Sequence, residues 1–190
     1  RVIVNLFFSQ LINQNTKELP QDNPDLKHQC LLLMDEFTSI GKVEIIAHSV
    51  SYMAGYNIRL FPIIQSVAQL DAVYGKEYAR TIITNHALQI IYTPREQQDA
   101  NEYSEMLGYT TVKRRNVSRG RERSVSESEE RRALMLPQEL KGMGQDSEII
   151  IYEGMAHPAK VNKIRYYQDG MFIKRLKGAV KVASLKGGQQ

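Results

Sequence analysis

Cysteine is nearly missing from this sequence: Cys30 is the only one in 190 residues. A lone thiol excludes an intrachain disulfide framework and a thiolate metal cluster, and favours a reducing compartment over a secreted one. Tryptophan is absent, and the 12 glycines and 6 prolines form no repeat. With 42% apolar residues, the composition excludes wholesale disorder and collagen-like sequence. Long hydrophobic runs are also lacking. The longest, Cys30 to Met34, falls far short of the ~20 residues that a membrane helix needs. No secretory signal pattern stands at the start. The sequence opens on Arg1 rather than Met, inside a stretch that reads as helix, so it is expected to be part of a longer protein.

Charge of one sign is scarce overall and unevenly spread. Twenty-five Lys and Arg against 21 Asp and Glu leave only +4, too little to announce a nucleic-acid partner. Between Lys113 and Arg132, however, eight basic and four acidic residues carry a local excess equal to that whole. The tail 173–190 adds Lys174, Arg175, Lys177, Lys181 and Lys186 with no acid. Two readings stay open for these stretches: solvated, poorly ordered segments, or phosphate contacts that release counterions from a nucleic-acid backbone.

What is present is an alternation of helical and strand patterns. Val2 to Leu19 has apolar residues at helical spacing (Val2, Ile3, Leu6, Phe7, Leu11, Ile12). "CLLLMDEF" is a short apolar run, as in a strand covered on both faces, and it stops at Asp35 and Glu36. Val43 to Ala54 reads as a helix stopped by Gly55, and "IRLFPII" as a second buried strand in spite of Pro62. Helices follow over Val67 to Tyr74 and Lys76 to Ile83, and "ALQIIYT" is a third strand. Thr93, Pro94 and Glu96 have the spacing of a capping box for a helix whose buried stripe is Ala100, Tyr103 and Leu107. The charged segment 113–132 has no apolar period and reads as an exposed loop or hairpin. "LPQEL" is a short helix, "EIIIYEG" a fourth strand, and "KVNKIRYY" a segment that can return antiparallel to it. This alternation predicts an α/β fold with a parallel sheet.

Open parallel sheets bind ligands beyond the carboxyl ends of their strands. Two predicted strand ends carry polar groups there: Asp35 and Glu36 on one, Gln65 and Ser66 on the other. An aspartate so placed can hold Mg2+ through its waters. The adjoining glutamate can take a proton from an attacking water, and a glutamine on the next strand can orient that water or sense a γ-phosphate. That is the logic of a Walker B pair with a sensor, although apolar runs ending in Asp-Glu also occur as simple strand-to-helix caps. A P-loop, GxxxxGK followed by Ser or Thr, is not in the sequence. Gly41-Lys42 is followed by Val43 and Gly75-Lys76 by Glu77, and neither pair has a glycine five positions before it. Half a nucleotide site is therefore readable and the phosphate cradle is not. His28, His48, His86 and His157 lack metal-ligand spacing, and the serines lack a GxSxG context. Tyr166 and Tyr167 are candidates for base stacking, with alternation along a strand as the plainer explanation.

"QCLLLMDEF", "SIGKVEIIAHSVSYMAGYNIRLFPIIQSVAQLDAVYG", "NHALQIIYTP", "EMLG" and "KIRYY" resemble the carboxyl-terminal part of TraG-type conjugative coupling proteins of type IV secretion systems, from about Leu6 to about Phe172. The resemblance implies a RecA-like sheet, parallel with a mixed edge and flanked by helices, as part of a P-loop NTPase domain that here lacks the P-loop strand. Residues 1–172 would belong to that domain and 173–190 to a basic tail. It further implies a hexameric ATPase on the cytoplasmic face of the bacterial inner membrane, with this portion itself soluble. The motor would use ATP and Mg2+ to deliver relaxase-bound DNA to the secretion channel. Its partners would be single- or double-stranded DNA, the relaxosome and channel components. By position, Asp35 and Glu36 match the Walker B pair and Gln65 the glutamine of the family's "QS" motif. Ala54 and Gly55 stand where some relatives carry an arginine finger, which leaves Arg59 and Arg80 as substitutes. Lys113, Arg114, Arg115, Arg119, Arg121 and Arg123 are the candidate nucleic-acid contacts. The rival reading is a non-catalytic module that recruits DNA or relaxosome proteins, and a third is a chromosome-type DNA translocase of the same motor superfamily.

Overall fold

The computed structural model describes residues 2–119 and 123–178. Its first half is built around two parallel strands, β1 (Cys30–Met34) and β2 (Ile58–Pro62). Helix α1 (Val2–Asn15), helix α2 (Glu44–Ser49), a 3-10 turn (Met53–Tyr56) and helices α3 (Val67–Tyr74) and α4 (Lys76–Thr84) accompany them. Asn57 ends the 3-10 turn in the left-handed region at φ 59, a conformation asparagine tolerates better than most residues. Leu32, Met34 and Ile58 on the sheet pack with Ile12, Ile46, Met53, Leu70 and Ile82 from the helices, forming the larger core.

The second half contains β3 (Leu88–Ile91), α5 (Gln97–Leu107), β4 (Tyr109–Arg119), β5 (Arg123–Ala133), α6 (Pro137–Lys141), β6 (Ser147–Tyr152), β7 (Ala159–Asn162) and α7 (Gly170–Ile173). β3, β6 and β7 form an antiparallel sheet in the order β3-β6-β7. Ile91, Leu107, Leu140 and Ile149 make a second, smaller core beneath it. β4 and β5 pair only with each other, as a long antiparallel ribbon, so the charged segment takes the hairpin form of the two anticipated. The return of β7 on β6 is also as anticipated. The fold is thus α/β with parallel and antiparallel sheets, the parallel part holding two strands.

Several local expectations are corrected. β1 is covered on one face only: Leu32 and Met34 are buried, whereas Leu31 and Leu33 are 60% and 59% exposed. The apolar stripe of α1 divides similarly, with Ile12 buried and Val2 and Ile3 each 82% exposed. Hydrophobicity on these faces has no covering layer among the described residues. Helix α5 begins at Gln97, with Glu96 at the N-cap, because the Thr93 hydroxyl donates to the Gly144 carbonyl instead of capping. Tyr166 and Tyr167 lie beyond the end of β7 with both rings exposed, so strand alternation does not account for them. No helix among the described residues is long and apolar enough to cross a membrane. Lys181 and Lys186 of the tail lie outside the described residues.

Candidate functional site

The parallel pairing of β1 and β2 continues past the ends of both strands. The Ile63 N–H donates to the Met34 carbonyl at 3.0 Å, and the Phe37 N–H donates to the Ile63 carbonyl at 3.0 Å. Asp35 and Glu36 occupy the turn between those two bonds, held on either side by the neighbouring strand. Glu36 adopts φ 50, one of two non-glycine residues in the left-handed region among the described residues, a conformation that costs about 1–2 kcal/mol for an ordinary side chain. Its carbonyl accepts the Ser39 N–H at 2.8 Å, and its own N–H donates to Asp35 Oδ1 at 3.1 Å. Strain of this kind persists only where the surroundings over-determine it. Here Phe37 supplies the anchor. Its ring is fully buried and stacks on Tyr74 with centroids 5.2 Å apart, while the Tyr74 hydroxyl accepts the Val43 N–H at 3.2 Å.

Gln65 lies between two held neighbours. It follows Ile63, the last residue bonded to β1, by two positions. It precedes Ser66, whose hydroxyl caps α3 by accepting the Gln69 N–H at 3.3 Å. Because β1 and β2 run in the same direction, Asp35, Glu36 and Gln65 emerge at one edge of the pair, and all three are exposed. No group of three or more His, Cys, Asp or Glu residues able to chelate a metal occurs among the described residues. Two exposed carboxylates, Asp35 and Glu36, are the kind of donor set that fits Mg2+, which keeps most of its waters and takes one or two protein carboxylates. When bound, that ion would supply charge neutralisation for phosphate oxygens, with Asp35 as the residue that holds it through water.

Beside this edge lies a cleft of about 310 Å³ between β2 and β3. Phe61, Ile63 and Ile64 line one wall, and Leu88, Ile90 and Tyr92 the other. Both flanking strands end their sheets here, so each presents an unpaired backbone edge to the cleft. The direction of pairing also explains how a strand tolerates Pro62. N–H and C=O of Ile63 both point to β1, and alternation along the strand aims the Pro62 nitrogen at the cleft. Its missing N–H thus costs no bond with β1.

Asp99 is a residue that the sequence reading passed over. It lines the same cleft and is 5% exposed. Burial pushes its carboxyl above the ordinary aspartate range, Glu96 and Glu102 push it further, and the Val67 amide draws it back. Tyr103, one turn on, is held up at about 12, mainly by burial and then by the charges of Asp99 and Glu102. The available signal was its place: Asp99 adjoins Ala100 and precedes Tyr103 by four, so it flanks the buried stripe of α5.

The candidate phosphate contacts divide along the ribbon. Near its base the basic groups are engaged: Arg114 pairs with Glu130 at 3.4 Å, and Arg132 pairs with Glu139 of α6. Arg131 lies over the Tyr109 ring at 3.9 Å. The Leu136 N–H and Arg132 together hold the Glu139 carboxyl below its ordinary range, the amide contributing most. The register sets Lys113 opposite Glu129 and Arg115 opposite Glu127, but Arg119 opposite Arg123. The side chains of Arg115, Arg119 and Arg123, and all of Arg121, lie outside the described residues. Of the two substitute arginines, Arg59 donates to the Ala54 carbonyl at 2.8 Å, and Arg80 is exposed on α4.

The comparisons with known proteins agree with this architecture. Protein VirD4 of Agrobacterium fabrum (strain C58) is 29% identical over 178 residues, 92% of this chain and 26% of VirD4. Conjugal transfer protein TraG of Escherichia coli is 33% identical over 121 residues, 62% of this chain and 19% of TraG. The chain thus spans about a fifth to a quarter of the length of these curated relatives. Among solved structures, the unbound conjugative coupling protein TrwBdeltaN70 matches with a TM-score of 0.60 at 22% identity, over 72% of this chain and 32% of that one. Plasmid coupling protein TrwB in complex with ADP and Mg2+ matches with a TM-score of 0.57 at 24% identity, over 72% and 30%. At such identities the likeness shows the fold. The family model described as Type IV secretory system Conjugative DNA transfer matches residues 1–188, and the chain belongs to that family.

Proposed function

We propose that this chain is the later portion of the nucleotide-binding domain of a coupling ATPase that moves relaxase-bound DNA into a type IV secretion channel. The observation that carries the reading is the shared edge of β1 and β2, where hydrogen bonds past the strand ends hold the Asp35–Glu36 turn and the chain after Ile63 leads to Gln65 at the same end of the pair. In this reading Asp35 holds the magnesium hydration shell and Glu36 accepts a proton from the attacking water. Gln65 orients that water and registers its loss. The phosphates themselves need a cradle of backbone N–H groups and a lysine, and the sequence has none. The cleft between β2 and β3 offers two unpaired strand edges and apolar walls, a fitting seat for one more strand. That strand would carry the P-loop and come from a part of the protein outside this chain.

ATP would sit between subunits of a homo-hexamer at the inner membrane, with an arginine supplied in trans. Arg80, exposed on α4, suits that role better than Arg59, whose guanidinium is already bonded within its own subunit. TraG, by name a conjugal transfer protein, supports a place in conjugation, and TrwB with ADP and Mg2+ supports nucleotide use. The test is calorimetric. The isolated 1–190 chain is expected to bind ATP weakly or not at all, and the full-length protein to bind it tightly with Mg2+. Micromolar binding by the isolated chain would show that the missing cradle is not needed.

The ribbon favours a role in contacting DNA, alongside the motor or, in the rival reading, in place of it. Arg114 near its base is paired with Glu130, and the register at its far end sets Arg119 opposite Arg123. Replacing Arg119 and Arg123 together by Ala in the full-length protein is expected to weaken DNA binding and lower the salt slope by about 1.4–1.8, at roughly 0.7–0.9 per phosphate contact. Arg114→Ala should change that slope little, since Glu130 already occupies it. Equal slopes for the two variants would place the DNA contact elsewhere.

A further inference from the structure

The carboxyl ends of β3 and β7 point the same way, because both strands run antiparallel to β6. The loop before β6 lies between them and ties them together. The Thr93 hydroxyl, just past β3, donates to the Gly144 carbonyl. The Lys163 N–H, just past β7, donates to the Asp146 carbonyl at 2.8 Å. Side chains extend this frame. Lys163 Nζ stands 3.8 Å from the centroid of the Tyr92 ring. Arg165 pairs with the Asp146 carboxylate and donates to the Tyr167 hydroxyl at 2.8 Å. The Tyr166 and Tyr167 rings lie 5.4 Å apart at 88° to each other. Tyr92, Tyr166 and Tyr167 are each more than half exposed, so burial does not explain them. The setting is basic: from Lys163 to Lys177, five cations stand against one acid, Asp169. That acid is itself engaged, accepting the N–H groups of Met171 and Phe172 at 2.8 and 3.3 Å.

We propose that Tyr166 and Tyr167, with Lys163 beside them, form a stacking platform for the bases of single-stranded DNA, separate from the ribbon. This rests on the reading of DNA as the cargo. Aromatic faces interleaved with cations are what a single strand requires, since its bases offer open π-faces and its backbone offers phosphates. A duplex does not fit, because its bases already cover one another's faces. The two rings are perpendicular, so their faces point in different directions and each takes a base of its own. Arg165 acts as a brace. By holding the Tyr167 hydroxyl against Asp146 it fixes that ring in advance, which lowers the ordering cost when a base stacks on it. Lys163, over the Tyr92 ring, supplies the charge for a phosphate on the flank of the platform.

The experiment measures the affinity of the full-length protein for a labelled oligothymidylate as a function of salt, with ATP affinity measured in parallel. Tyr166→Ala and Tyr167→Ala are each expected to weaken oligothymidylate binding about fivefold or more, the lower end for a lost base–aromatic stack. The salt slope and ATP affinity should stay at their wild-type values, because stacking displaces no counterions. Tyr166→Phe keeps the ring and should bind as the wild type does. Lys163→Ala should instead lower the salt slope by about 0.7, the single-strand value for one phosphate. Ultraviolet cross-linking of an iododeoxyuridine-substituted single strand to the wild type should mark Tyr166 or Tyr167, and needs no variant to fold. Wild-type affinity in both alanine variants overturns the proposal and leaves DNA as the cargo. Where those variants do not fold, absence of a cross-link at either tyrosine overturns it. So does a loss of ATP affinity with oligothymidylate binding intact, which would make the rings the seat of the nucleotide's own base. A wild type that binds no single strand overturns the proposal and the cargo reading together.

Discussion

Replacing Glu36 by Gln in the full-length protein is expected to abolish ATP turnover while leaving ATP binding unchanged. The substitution removes a proton acceptor and changes little else. Glutamine has nearly the same shape and can sit on the same exposed turn. The backbone conformation at position 36, φ 50, is held by the Phe37–Ile63 and Ser39–Glu36 backbone bonds, which do not involve the side chain. Loss of a positioned general base typically costs 10²–10⁴ in rate, so residual hydrolysis should fall near the background of the assay. Binding energy comes from the phosphate cradle and the magnesium shell, and neither is contributed by Glu36. Single-turnover hydrolysis and equilibrium nucleotide binding, measured on the same preparation, separate the two effects. Hydrolysis retained at the wild-type rate would refute the assignment of Glu36. An equal loss of binding and turnover would mean that the turn itself had moved, and the companion variant Asp35→Asn would then be expected to behave in the same way.

Legibility in the sequence followed the range of the physics involved. The run Cys30 to Met34 announced a strand, and its abrupt end at Asp35 and Glu36 announced the rim, because both signals are local. Gln65 was recoverable by the same logic on the next strand. What local patterning could not supply was the partner of each face. Leu31, Leu33, Val2 and Ile3 are apolar in sequence and exposed in this chain, since hydrophobicity reflects the complete assembly of layers and this chain spans about a quarter of the length of VirD4. The antiparallel pairing of β3 with β6 joins segments about sixty residues apart, and no short-range period encodes it. Thr93 misled for a related reason. Its spacing to Glu96 satisfies a capping box, but a carbonyl from a distant loop, Gly144, takes its hydroxyl. Asp99 was hidden because a polar residue beside an apolar stripe looks like solvated surface, whereas in the fold it is buried.

Phe37→Ala should be the most damaging single substitution to the stability of the first half. The ring is fully buried and stacked on Tyr74, in a core that also holds Met34, Val43 and Leu70. Truncating a buried phenylalanine typically costs about 3–5 kcal/mol, a large share of the roughly 5–15 kcal/mol that a whole domain has in reserve. Part of that loss is the aromatic pair itself, worth about 0.5–1.5 kcal/mol; the rest is lost burial and the void left behind. Phe37→Leu fills most of the void and should forfeit mainly the stacking, so the two variants separate the terms in chemical or thermal unfolding. The consequence for function is direct. Phe37 follows Glu36 immediately and sends its N–H to Ile63, so the strained turn depends on this ring remaining seated. In the full-length protein, Phe37→Ala should therefore lower turnover even at temperatures where the domain is folded, whereas Phe37→Leu should preserve most of it. A loss below about 1 kcal/mol for Phe37→Ala, well under the usual cost of such a truncation, would mean that the Tyr74 side of the core collapses to fill the space. The Asp35–Glu36 turn would then owe its shape to the Ile63 backbone bonds alone.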